Sequence, residues 1–166
     1  MQYVRIPEER VSVLIGAGGS VKRKIEKKTN CKLGIEDNEV SIEGESLGEW
    51  IAKDIVHAVG RGFNPYKALI LVEDGYVLDF LDLKEYANTP KSVERLKGRV
   101  IGEEGRTRKH LERSTGAMVC VYGKTVAFIG TVNDVALAKT ACDMLLSGKR
   151  HSTVYRFLDK QARASR

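Results

Sequence analysis

Two glycine loops, Gly16-Ala17-Gly18-Gly19 and Gly102-Glu103-Glu104-Gly105, carry the most specific chemistry in the chain. A Gly-x-x-Gly turn ahead of a helix leaves backbone N–H groups uncovered by side chains, and the helix start adds further free donors, so the natural ligand is a phosphate. Two nucleotide-binding patterns are excluded. Neither loop fits GxxxxGK[ST], because Lys22 follows Val21 rather than a glycine and the second loop runs into Arg106. Gly16, Gly18 and Gly19 also miss the GxGxxG spacing, and helices rather than strands are expected before both loops. Glu36, Asp37 and Glu39, and the pair Glu103-Glu104, are the densest acidic clusters and the only candidates for two-metal phosphoryl chemistry. The first sits at an expected strand turn, where solvated acids are ordinary, and its counterpart Gly123-Lys124-Thr125 carries no acid. Cys31, Cys120 and Cys142 lack CxxC spacing, and His57, His110 and His151 lack ligand spacing with them or with one another. No catalytic residue, metal or cofactor is therefore expected, and the chain reads as a binding protein rather than an enzyme.

The loops lie 86 residues apart, and the likeness around them holds at that offset without a gap. Ile15 falls on Ile101, Glu26 on Glu112, Thr29 on Thr115, Leu33 on Val119, Val40 on Val126, Gly44 on Gly130, Lys53 on Lys139 and Gly62 on Gly148. With 16 glycines in 166 residues a chance GxxG is common, but two embedded in matching blocks, 15–62 and 101–148, mark an internal repeat.

Each copy needs elements to hold its loop. In the first, Val4 and Ile6 suggest a strand, Pro7 suits the opening turn of a helix reaching Ile15, and a second helix covers 20–28 with Val21 and Ile25 inward. Strands follow at 32–36 and 39–43. Trp50, Ile51, Ile55, Val56 and Val59 set a third helix over 47–59, closed by Gly60 and Gly62. Asn64-Pro65 opens a connector helix expected to stop at Gly75, outside the repeat. A strand at 76–81, a helix capped by Thr89-Pro90 and a last helix over 133–146 restore the order βααββα in the second copy. Val154, Phe157 and Leu158 give the basic tail a helical apolar face, for docking or for a partner. The expected organisation is a first domain at 1–62, a connector at 63–75, a second domain at 76–148 and a basic helix at 149–166.

Apolar residues at 42% and charged ones at 30% suit a globular chain, so each copy can bury a small core. The longest wholly apolar run, 68–72, is far short of a membrane span, and no export signal opens the chain, so a cytoplasmic location is expected. The net charge is +6, but its distribution says more. Residues 1–62 hold ten basic and ten acidic side chains, 63–90 two and five, and 91–166 sixteen and seven. The second half is the one that attracts polyanions.

The Ile-Gly-x-x-Gly loop, followed ten residues after its second glycine by Thr29-Asn30 or Thr115-Gly116, resembles the KH domain, twice over nearly the whole chain. The resemblance implies the type I form: an α+β fold of two tandem domains, each a three-stranded antiparallel sheet packed with three helices. It also implies that each loop clamps the backbone of about four single-stranded nucleotides beside an apolar groove. By similarity the RNA-binding set is Gly16, Ala17, Gly18, Gly19, Lys22 and Arg23 in the first copy. In the second it is Gly102, Glu103, Glu104, Gly105, Arg106, Arg108 and Lys109, with Val119 and Val121 lining the groove as Ile35 does in the first. Two departures from the family pattern stand out. Lys22 and Arg108 replace the usual apolar residue, and Glu103-Glu104 would repel phosphate unless Arg106, Arg108, Lys109 and Arg113 offset them. Loop chemistry favours the first copy for close contact and charge favours the second for attraction.

A narrower resemblance rests on Arg95-Leu96-Lys97-Gly98-Arg99-Val100-Ile101-Gly102, Gly105-Arg106-Thr107-Arg108 and the tail Thr153-Val154-Tyr155-Arg156. Together these are similar to the archaeal branch of the Dim/Pno (partner of Nob) family of pre-ribosomal RNA factors. The intact first loop also fits the archaeal form. The resemblance implies a small-subunit assembly factor that binds the 3′ region of small-subunit rRNA, with a PIN-domain endonuclease and an initiation-factor subunit as protein partners. The alternative is a general tandem KH protein acting on mRNA or single-stranded DNA.

Overall fold

A computed structural model describes residues 1–165 and divides the chain into two compact units, Met1–Tyr76 and a second from Val77 onward. In the first unit strand β1 (Gln2–Arg5) leads to α1 (Glu8–Ile15), one 3-10 turn at Ala17–Gly19, α2 (Ser20–Thr29), β2 (Lys32–Glu36), β3 (Glu39–Glu43) and α3 (Ser46–Gly60). The sheet order is β1-β3-β2, and both pairings are antiparallel. Val4 faces Val40, and Leu33 faces Ile42. These four side chains are buried together with Leu14, Val21, Ile25, Ile55 and Val56 from the helices, so one sheet face and three apolar helix stripes make the core.

After α3 comes α4 (Pro65–Ala68), where the Asn64 side chain accepts the Tyr66 N–H at 2.8 Å and proline takes the first helical position. The connector differs from its expected length. It tightens into a 3-10 turn at Leu69–Val72 and leaves the helix at Glu73, before Gly75. β-branched Ile70 and Val72 weaken so short a helix, and the turn still buries Leu69 and Leu71.

The second unit repeats the order with β4 (Tyr76–Asp82), α5 (Pro90–Ile101), a 3-10 turn at Glu103–Gly105, α6 (Arg106–Thr115), β5 (Met118–Tyr122), β6 (Thr125–Thr131) and α7 (Val132–Leu146). Its sheet order, β4-β6-β5, is that of the first. Thr89 caps α5 by accepting the Ser92 N–H at 3.1 Å. The tail forms α8 (His151–Ala164), and its apolar side is docked: Val154 and Leu158 are wholly buried in the core with Leu96, Leu111, Val135 and Leu145. Arg166, the end of the expected tail segment, lies outside the described residues.

Candidate nucleic-acid interface

Both loops are hinged on backbone that only glycine adopts readily. Gly16 ends α1 at φ +73°, its N–H returning to the Ser12 carbonyl at 2.9 Å, and Gly102 ends α5 at φ +74°, bonding Gly98 at 2.8 Å. A Cβ on Gly16 would meet Val21 Cγ2 at 2.5 Å, and one on Gly102 would run into Thr107. These glycines let the chain reverse directly against the first turn of the next helix. The N-caps of α2 and α6 are Gly19 and Gly105, which carry no capping side chain. The Gly19 and Gly105 N–H groups return to the Gly16 and Gly102 carbonyls at 3.2 Å, and those of Ser20 and Arg106 to Ala17 and Glu103, which leaves the amides of Ala17, Gly18, Glu103 and Glu104 for an anion.

The third loop position separates the copies. Gly18 adopts φ +60°, which glycine tolerates, whereas its counterpart Glu104 is held at φ +55°. In the first loop the Arg23 guanidinium donates to the Gly18 carbonyl at 2.7 Å and braces the turn. In the second, Arg106 reaches only the exposed Glu104 carboxylate, at 3.7 Å. Glu103 and Glu104 both project into solvent, while Lys109 is exposed on the following turn.

One contact not legible in the sequence fixes the neighbouring strand. Glu26 Oε2 accepts the Leu33 N–H at 2.9 Å, and Glu112 Oε2 accepts the Val119 N–H at 2.9 Å. The other oxygen of each carboxylate faces a cation one helical turn back, Lys22 at 3.6 Å or Arg108 at 2.7 Å. Lys22 and Arg108 are thus half-buried partners of a carboxylate that ties the loop helix to β2 or β5. Part of the signal is in the sequence, since Glu26 and Glu112 coincide in the repeat with a cation four residues ahead of each, but the strand N–H that they meet lies seven residues further on and in another element. Val119 is buried in the core; Val121 and Ile35 are half-buried.

The Glu36, Asp37 and Glu39 cluster stays apart from that arrangement. Glu39 pairs with Arg5 at 3.5 Å, and Asp37 occupies the β2–β3 turn at φ +54°. Among the described residues no group of His, Cys, Asp or Glu is placed to hold a metal ion, and no helix is long and apolar enough to cross a membrane.

Two βααββα units, each with a GxxG turn between its first two helices, define a tandem KH protein of type I. The KH-domain pattern matches residues 1–58, and the pattern described as the eukaryotic type KH-domain (KH-domain type I) matches residues 77–163. A KH domain-containing protein of Methanocaldococcus jannaschii is 48% identical over 97% of this chain and 74% of its own length. The pre-rRNA-processing protein PNO1 of Chaetomium thermophilum is 24% identical over 80% of this chain and 52% of its own. A chain in the crystal structure of the a/eIF2alpha-aDim2p-rRNA complex of Pyrococcus horikoshii superimposes with a TM-score of 0.92 at 41% identity, covering 98% of this chain and 94% of that one. The chain belongs to the KH-domain family, in its PNO1/Dim2p branch.

Proposed function

We propose that this chain is a non-enzymatic, single-strand RNA-binding assembly factor of the small ribosomal subunit, acting in the cytoplasm. It holds the 3′ region of small-subunit rRNA and leaves cleavage to a partner, a PIN-domain endonuclease. The observation that carries the reading is the pair of glycine-hinged turns ahead of α2 and α6, neither covered by a capping side chain. Each presents backbone donors to a phosphate without any side chain that must move. The relatives named for pre-rRNA processing and for a complex with rRNA supply the class of RNA, and the a/eIF2alpha of that complex supports an initiation-factor subunit as a second protein partner.

In this reading Ala17 and Gly18, and Glu103 and Glu104, meet the RNA backbone through their amides, while Gly16, Gly19, Gly102 and Gly105 shape the turns and let that backbone approach closely. Arg23 holds the first turn in shape, and Arg106 and Lys109 supply field around the second. Ile35 and Val121 face the bases, while Val119 supports the groove from inside the core. Lys22 and Arg108 set the groove's floor through Glu26 and Glu112. The test is the affinity of the purified chain for an oligonucleotide copying the 3′ end of small-subunit rRNA, against a scrambled copy, at two salt concentrations. A preference that persists at the higher salt is expected, because base contacts do not weaken with counterions as phosphate contacts do. Equal, salt-sensitive binding of both would refute the ribosomal role and leave a general single-strand binder.

A further inference from the structure

The groove uses one flank of each loop helix, and the opposite flank holds a second feature. On α6 the residues at spacing i, i+3, i+4 and i+7, Arg106, Lys109, His110 and Arg113, share a stripe turned away from Arg108. They line an open recess of about 600 Å³ walled by Tyr155 of α8. The Tyr155 ring lies on His110 with centroids 3.9 Å apart, and its hydroxyl reaches Thr107 at 3.3 Å. Glu112 touches the recess edge, but Arg108 and the Val119 N–H already engage its carboxylate.

The same stripe on α2, Ser20, Arg23, Lys24 and Lys27, joins Lys28 around a recess of about 570 Å³. There Lys24 Nζ stands 5.0 Å from the ring centroid of Tyr66 on α4. Lys24 and His110 are equivalent in the repeat, yet the tyrosines come from segments outside it, a short connector and a tail helix of unrelated sequence. Two different appendages thus bring an aromatic ring to one position beside one basic stripe.

We propose that this outer flank is a second RNA-backbone site in each unit, taking the sugar-phosphates of nucleotides that continue past those held in the groove. It rests on the proposed RNA-binding function. Three observations carry it. Among the described residues Lys27, Lys28, Lys109 and Arg113 have no carboxylate within ion-pair distance, so the cations repel one another until an anion arrives. Arg106 directly follows the loop, so a backbone leaving Gly105 meets the stripe at once. The stripe runs about 10 Å along α6 at 1.5 Å per residue, long enough to follow a strand rather than to hold one ion.

The test uses the full chain with Lys27, Lys28 and Arg113 all changed to Gln, against RNA single strands of five and of fifteen nucleotides. The five-mer fills a groove alone. The variant is expected to bind it as the parent does, to bind the fifteen-mer on the order of tenfold more weakly, and to show a salt slope shallower by about two, at about 0.7 for each phosphate contact removed. Lys84, Lys91 and Lys160 changed to Gln together, all outside the recesses, should leave the fifteen-mer within about twofold. Unchanged fifteen-mer binding by the first variant, equal losses for both lengths, or an equal effect of the second variant would overturn the proposal. A parent that binds neither RNA would instead overturn the RNA-binding reading on which it rests.

Discussion

Replacing Glu104 by glycine should both stabilise the second unit and tighten RNA binding. Glu104 sits at φ +55°, where a residue with a Cβ is less stable by about 1–2 kcal/mol. Glycine loses about 0.5–1 kcal/mol more conformational freedom on folding, which leaves a net gain of up to about 1 kcal/mol. The exchange also removes the ion pair with Arg106, which is 3.7 Å long with both partners exposed. Such a pair is worth at most about a few tenths of a kcal/mol. A net gain of about 1 kcal/mol would raise the melting temperature of a unit this small by about 4–8 °C, and a smaller gain proportionately less. The second effect is electrostatic. A carboxylate about 6 Å from a bound phosphate in a water-like medium repels it by about 0.7 kcal/mol, so its removal should lower Kd about threefold at low salt. Glu104→Gln separates the two effects, because it removes the charge and keeps the strained backbone. Melting by circular dichroism and RNA titration by fluorescence anisotropy would read both variants. A Gln variant that binds no better than the parent, in a protein whose binding is abolished by Gly102→Asp, would refute the account of charge at this loop. A Gly variant no more stable than the Gln variant would refute the account of strain.

Three further outcomes follow from the packing and from the titrating groups. Leu158→Ala should cost about 2–5 kcal/mol in urea unfolding because its side chain is wholly buried in the second core, whereas exposed Arg156→Ala should change stability by less than about 0.5 kcal/mol; a small cost at Leu158 would mean that the tail is not docked. Burial, with the nearby Asp143 charge, pushes the Cys142 thiol up to about 12, and Cys31 is buried as well. At pH 8 a thiol reagent should therefore label Cys120 first and the other two only on unfolding. His57 is held below its ordinary pKa chiefly by burial, then by Arg61 and Lys53, so the fold favours its neutral form. Its stabilising contribution is complete above about pH 6.5 and disappears as pH falls through the lowered folded value; His57→Gln should flatten that part of the stability profile, measured by urea titration at stepped pH.

Features set by neighbours along the chain are legible in the sequence alone. The glycine turns, the Asn64 and Thr89 caps and the βααββα order all depend on residues within a few positions of each other, and the repeat supplies a second instance of most of them. Features that depend on distant partners are not legible there. Alternation places Val119 and Val121 on one strand face but does not say where along that face the core ends; Val119 is covered and Val121 is only half covered. Lys22 and Arg108 read as RNA contacts because their position in the KH pattern is evident, whereas their carboxylate partners' second contacts, the strand amides, are not. The connector reads as one helix to Gly75 because a helix-stopping glycine is visible in sequence, whereas a change to 3-10 geometry at Leu69 depends on how Leu69 and Leu71 pack.

The duplication also bears on how the two loops would share binding in the proposed function. Loop geometry is the same at Gly16 and Gly102, so the amide donors offered to phosphate are equivalent, and any difference in affinity must arise from the side chains around them. Around the first turn the Arg23 guanidinium donates to Gly18, and Lys22, Lys24, Lys27 and Lys28 follow on α2 with no acid in the loop to oppose them. Around the second, the solvated Glu103 and Glu104 carboxylates oppose Arg106, Arg108, Lys109 and Arg113, so the net field is weaker. In the proposed reading, raising ionic strength should therefore weaken binding at the first loop more than at the second, with base contacts affected least.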